Sequence, residues 1–168
     1  MNLYIATILP IAYINETFLI IILYLLNEVS RVKTRIYKEV SFDATHRLLH
    51  YTGKCYNLHG HRWRVEVWIE GDIDEKTKIL VDYNTIKGVI ERFDHQVILN
   101  EEDPMVPCIR AFQDVITTPG DPTSELLAGV MVDLLNQECQ LNGSTVKVVR
   151  IRVWESPTCY AELFYADN

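Results

Sequence analysis

His59-Gly-His61-Arg-Trp63-Arg-Val65-Glu-Val67-Trp-Ile69-Glu70 is the stretch on which the fold class turns. Trp63, Val65, Val67 and Ile69 alternate with Arg62, Arg64, Glu66 and Glu70. That period of two gives a strand one buried and one solvated face. Carried backwards, the odd positions reach His61 and His59, so both imidazoles are expected on the apolar side. Gly71 and Asp72 then read as a turn.

Working upstream, Val40, Phe42, Ala44 and His46 share one face of a second half-buried strand, with Glu39, Ser41 and Asp43 on the other. A polar loop from Arg47 to Lys54 separates the two strands. Downstream, Ile86, Val89, Ile90 and Phe93 recur at helical spacing behind Asp82 or Asn84 as a cap. The pattern from Val97 to Gly120 reads as a loop. Pro122-Thr-Ser-Glu125 opens a second helix, because proline is tolerated in a first turn and Glu125 suits its positive end. Leu126, Leu127, Val130, Met131, Leu134 and Leu135 form its apolar stripe. Two closing strands are expected, one over Lys147–Glu155 and one over Tyr160–Tyr165. The order ββααββ reads as an α+β domain over residues 32–168.

Residues 1–31 differ from the rest. Two apolar runs, Leu3–Ile14 and Phe18–Leu26, are split by Asn15, Glu16 and Thr17 and broken at Pro10. A spanning helix needs about 20 apolar residues in one run, and a secretory signal needs a basic start and a small-residue cleavage site. Three readings stay open: an extension from a misplaced start codon, a weak membrane anchor over residues 1–26, or a helix that packs on the domain or a partner. Arg31, Lys33, Arg35 and Lys38 gather after it, as a solvated flank or a membrane-adjacent stretch.

The 168 residues suffice for one core of ordinary size. A net charge of −7 argues against nucleic acid as a partner, since phosphate backbones demand clustered Lys and Arg. Cys55, Cys108, Cys139 and Cys159 form no CxxC and no disulfide framework, so free thiols in a reducing cytoplasm are expected.

Histidines at i and i+2 of a strand can converge on one ion, and His46, ending a neighbouring apolar row, is placed to add a third ligand. Three protein ligands with an open fourth position characterise catalytic zinc. The competing reading is hydrogen-bonded core histidines, and spacing alone leaves both open. Cys55 reads as a small buried hydrophobe or as a thiolate base. Asp94-His95 reads as a solvated helix end or as a proton relay. Glu155 continues a buried row, where a carboxylate needs a partner. It is suited to gripping an amidine-like N–H pair of a pterin or guanine, or it simply ends a strand.

Taken together, Phe42-Asp-Ala-Thr-His46, Cys55-Tyr-Asn-Leu-His-Gly-His61, Val81-Asp82-Tyr83, Phe93-Asp-His95, Pro122-Thr-Ser-Glu125 and Glu155-Ser-Pro157 resemble the 6-pyruvoyl-tetrahydropterin synthase / 6-carboxytetrahydropterin synthase family. The resemblance implies the tunnelling fold (T-fold), a ββααββ subunit with an antiparallel sheet and two helices on one face. It further implies a homohexamer, a dimer of trimers with active sites between subunits. Zinc would sit on His46, His59 and His61, with Cys55 as proton acceptor. Asp94 and His95 would be the relay from a neighbouring subunit. Glu155 would anchor the pterin, helped by Thr123 and Ser124.

The three-residue gap between Cys55 and His59 resembles the queuosine-pathway branch. That branch converts 7,8-dihydroneopterin triphosphate to 6-carboxy-5,6,7,8-tetrahydropterin, acetaldehyde and triphosphate. A pyruvoyl-type synthase or other pterin side-chain lyase is the alternative within the fold, and a non-catalytic zinc- or pterin-binding member the alternative of another class. Residues 1–31 and the length of Glu101–Gly120 depart from the family pattern.

Overall fold

The computed structural model describes residues 33–141 and 146–164. The apolar segment at residues 1–31 lies outside the described residues, and so do its start-site and anchor readings. Among the described residues, no helix is long and apolar enough to cross a membrane.

Two long strands organise the sheet. Strand β1 (Thr34–His46) pairs antiparallel with β2 (His59–Gly71) along its whole length. The register sets Val40 opposite Val65, Phe42 opposite Trp63, Ala44 opposite His61 and His46 opposite His59. Directly opposed residues share a face, so one register builds both the apolar floor and the histidine cluster at its end. Strand β5 (Lys147–Ser156) adds to the free side of β2, and β6 (Cys159–Phe164) pairs with β5.

The floor is closed by helices α1 (Tyr83–Glu91) and α3 (Ser124–Leu141). Trp63, Val65, Val67 and Ile69 are fully buried against Phe42, Ile151 and Val153 of the sheet. Ile86, Val89 and Ile90 of α1 and Leu127, Met131 and Leu135 of α3 belong to the same cluster. Asp82 caps α1, its carboxylate accepting from the Asn84 amide at 2.8 Å. The α+β reading and the helix positions hold.

The stretch read as a loop from Val97 to Gly120 is instead structured. It contains β3 (Gln96–Asn100), helix α2 (Met105–Arg110) and β4 (Val115–Thr118). Strand β3 runs parallel to β1, and β4 parallel to β3, giving a mixed sheet of order β4-β3-β1-β2-β5-β6. Val97, Ile98 and Leu99 are all buried. A strand covered on both faces loses the alternation that marks a half-solvated one, and a run this short carries no period of its own.

On the sheet's other face, charge and aromatic rings interleave. The Arg64 guanidinium lies 4.1 Å from the Trp154 ring centre and that of Arg150 4.7 Å from Trp68. Trp154 Nε1 donates to Glu66 at 2.9 Å, and Glu162 pairs with both Arg150 and Arg152. Tyr37 sits beside Glu39 and Glu66, and burial together with these carboxylates pushes its phenol up to about 12.

Candidate active site

The pairing of His46 with His59 across β1 and β2, and of His61 with Ala44, brings three imidazoles to one end of the sheet. Their ring centres are 4.6 Å (His46–His59), 4.8 Å (His59–His61) and 5.2 Å (His46–His61) apart. Strand β5 delivers a fourth group. Val149, Ile151 and Val153 are buried, and Glu155 continues their row. The Glu155 Oε1 lies 3.2 Å from His61 Nε2 and 3.5 Å from His46 Nε2. One ligand atom from each of His46, His59, His61 and Glu155 falls within 4.8 Å of the others.

Main-chain carbonyls orient two of the rings. His46 Nδ1 is 2.8 Å from the Pro122 carbonyl oxygen, and His59 Nδ1 is 2.8 Å from that of Asn57. A carbonyl only accepts, so each Nδ1 donates there, which leaves Nε2, the other ring nitrogen, free to serve the cluster. His46 Nε2 and His61 Nε2 are buried and have no hydrogen-bond partner. Burial holds the His61 imidazole below its ordinary pKa, with Glu155 opposing and the neighbouring rings reinforcing. The facing His46 ring, and then the other two, hold the Glu155 carboxyl below the usual range against the effect of burial.

Buried imidazole nitrogens that converge on a carboxylate oxygen make a site suited to a cation. Three imidazole nitrogens and one oxygen fit a divalent metal ion, with the proton on each far nitrogen fixing ring orientation. His46, His59 and His61 are therefore brought together as expected. The structure also places the Glu155 carboxylate among them, beyond its expected position at the end of a buried row.

The remaining candidates surround this cluster. Cys55 is half-buried in the 3-10 turn Lys54–Tyr56, its carbonyl accepting from the Leu48 amide at 2.9 Å. It is not one of the four converging donors. His95 sits at φ 58°, a left-handed conformation that His tolerates better than branched residues, and its amide donates to the Asp43 carbonyl at 2.7 Å. Asp94 accepts from the Asp43 amide at 2.8 Å and lies 2.9 Å from His95 Nδ1. The amide and then the imidazole hold its carboxyl below the usual range. His95 and His61 line one cleft with Asp43, Gly60 and Gln113.

Thr123 caps α3, its hydroxyl accepting from the Leu126 amide at 3.3 Å, and Ser124 is buried beside it. A second cleft, lined by His61, Arg62, Arg64, Trp154, Glu155 and Ser156, opens on the β5 side of the cluster.

Sequence reasoning missed the brace behind the site. Arg47 and Asp103 are both buried and form a two-pronged ion pair at 2.6 and 2.7 Å. The same guanidinium lies 4.8 Å from the Tyr56 ring centre, so it holds the turn carrying Cys55. Asp121 accepts from the His50 amide at 2.8 Å and from Asn100 at 2.9 Å, fixing the chain just before the Pro122 carbonyl. Arg47 and Asp103 are 56 positions apart, and no local pattern joins them.

Comparison with known proteins agrees with this architecture. The family model for 6-pyruvoyl tetrahydropterin synthase matches residues 35–165. The chain is 31% identical over 158 residues to the 6-carboxy-5,6,7,8-tetrahydropterin synthase of Aquifex aeolicus, covering 78% of this chain and 98% of that one. It is 30% identical over 141 residues to the protein of the same name from Haemophilus influenzae, covering 76% and 96%. The 6-pyruvoyl tetrahydropterin synthase structure from Caenorhabditis elegans shares the fold at a TM-score of 0.56 and 22% identity, over 81% of this chain and 98% of that one. With its T-fold sheet and its matched residues, this chain belongs to the 6-pyruvoyl tetrahydropterin synthase family of lyases.

Proposed function

We propose that the protein is a zinc-dependent 6-carboxytetrahydropterin synthase. It would convert 7,8-dihydroneopterin triphosphate to 6-carboxy-5,6,7,8-tetrahydropterin, acetaldehyde and triphosphate, a step toward queuosine. The observation that carries this reading is the convergence of His46, His59 and His61 ring nitrogens beside Glu155. Relatives with the carboxy-product name, matched over most of both chains, support the branch.

Bound zinc would polarise side-chain oxygens of the substrate and acidify its neighbouring C–H bonds. The other roles belong to the chain's own residues. Cys55, on its braced turn, takes a proton from carbon, and His95, held by Asp94, moves one at a side-chain oxygen. Glu155 grips the 2-amino and ring N–H of the pterin, helped by Thr123 and Ser124 at the head of α3. The enzyme works in the cytoplasm as a homohexamer, a dimer of trimers with Asp94 and His95 supplied across a subunit boundary.

The test is incubation of the purified, zinc-loaded full chain with 7,8-dihydroneopterin triphosphate, followed by mass analysis. Appearance of 6-carboxytetrahydropterin with acetaldehyde is the expected outcome. A 6-pyruvoyl product moves the protein to the other branch, and no product from folded, metal-loaded protein leaves a pterin-binding role.

A further inference from the structure

The Glu155 carboxylate has two places it can go, and the geometry distinguishes them. In a tetrahedral zinc site, ligand atoms about 2.0–2.1 Å from the ion lie about 3.3 Å from one another. The Glu155 Oε1 is 3.2 Å from His61 Nε2 and 3.5 Å from His46 Nε2, close to that edge length. Neither nitrogen has a hydrogen-bond partner, although both are buried and close to the carboxylate. Their positions suit a shared ion better than a shared proton.

The backbone shows why this side chain reaches the cluster. The ladder between β2 and β5 ends at Arg64 opposite Trp154, so Glu155 lies one residue beyond it. The β5–β6 register shifts between Trp154 and Ser156, leaving Glu155 without a ladder partner. Such an irregularity re-aims a side chain. Glu155 also borders the cleft lined by Arg62, Arg64 and Ser156, and its side chain is 29% exposed. The carboxylate can therefore turn from the cluster to the cleft without unpacking the core.

We propose that Glu155 is the fourth metal ligand in the substrate-free protein, and that it leaves the metal to take the N–H pair of an incoming pterin. The exchange rests on the pterin reading above; the ligation does not. In the resting protein the carboxylate closes the metal's fourth position. On binding, one group both vacates that position and fixes the pterin's orientation.

The experiment uses the full chain loaded with zinc or cobalt(II), together with Glu155→Gln and Glu155→Ala. Zinc affinity is read by chelator competition, cobalt coordination by its visible ligand-field bands, and folding of each metal-free variant by circular dichroism. Both variants are expected to bind zinc at least tenfold more weakly and to show altered cobalt bands. Adding 7,8-dihydroneopterin, with binding followed by its fluorescence, is expected to shift the wild-type cobalt bands.

Wild-type zinc affinity and cobalt bands in both folded variants overturn the ligation. An unchanged wild-type cobalt spectrum at saturating dihydroneopterin overturns the exchange. Failure of dihydroneopterin to bind the wild-type protein sinks the pterin reading and the exchange with it, while the zinc affinities still decide the ligation.

Discussion

His46 Nδ1 lies 2.8 Å from the carbonyl oxygen of Pro122, a contact joining the end of β1 to the residue two positions before α3. The carbonyl can only accept, so the ring's proton is committed there and Nε2 is left facing His59, His61 and Glu155. The helix start thus sets the chemistry of a strand end. Asp121, tied to His50 and Asn100, keeps that carbonyl in place.

Because the donors are already convergent, zinc added to chelator-stripped protein is expected to raise Tm. The shift should grow with free zinc, reaching about 2.7 kcal/mol of stabilisation at 100 times Kd. His46→Ala should remove most of this zinc response. A full zinc-dependent shift in that variant, measured by calorimetry, would exclude His46 from the ligand set.

Cys55 stands apart from the four donors, so Cys55→Ala should keep its zinc content, read by elemental analysis, and its fold. Turnover should fall about 100-fold or more if the thiol moves a proton in the reaction. Near-normal turnover would remove Cys55 from the mechanism.

His95→Asn tests the relay without disturbing the backbone, since Asn tolerates the left-handed conformation at φ 58°. Its Tm should stay near that of wild type while turnover drops about 100-fold or more. A matching loss of stability would mean that the position matters for the chain bend instead.

The Arg47–Asp103 pair is buried, and breaking it from one side leaves a charge without its partner. Asp103→Asn should cost about 3–5 kcal/mol in urea unfolding at neutral pH. Burial pushes the Asp103 carboxyl up, but Arg47 and the Met105 amide together hold it below the usual range. A carboxyl depressed in the folded state stabilises above its unfolded pKa of about 3.9 and loses that contribution as pH falls through the folded value. Metal-free wild type should therefore lose part of its acid stability below about pH 4, and Asp103→Asn should lack that portion of the slope. Parallel acid limbs in Tm against pH would count against it.

The long strands, both main helices and the inward facing of His46, His59 and His61 were legible because each has a local signature. Alternation from Trp63 to Ile69 reports a half-buried strand, and spacing from Ile86 to Phe93 reports a helix. The parallel strands β3 and β4 were not legible. A short buried run such as Val97–Leu99 has no alternation, and its neighbours are chosen by the rest of the sheet.

What the sequence determined by itself is which side chains face the core, because side-chain direction follows backbone period. It placed His46, His59, His61 and Glu155 on inward rows before any pairing was known. Only the tertiary structure decided that these rows end at one point. The β1–β2 register sets His46 against His59, and the β5 irregularity turns Glu155 toward them. The proton of His46 was likewise settled by a carbonyl 76 residues away, and a main-chain oxygen leaves no mark in the sequence because every residue carries one.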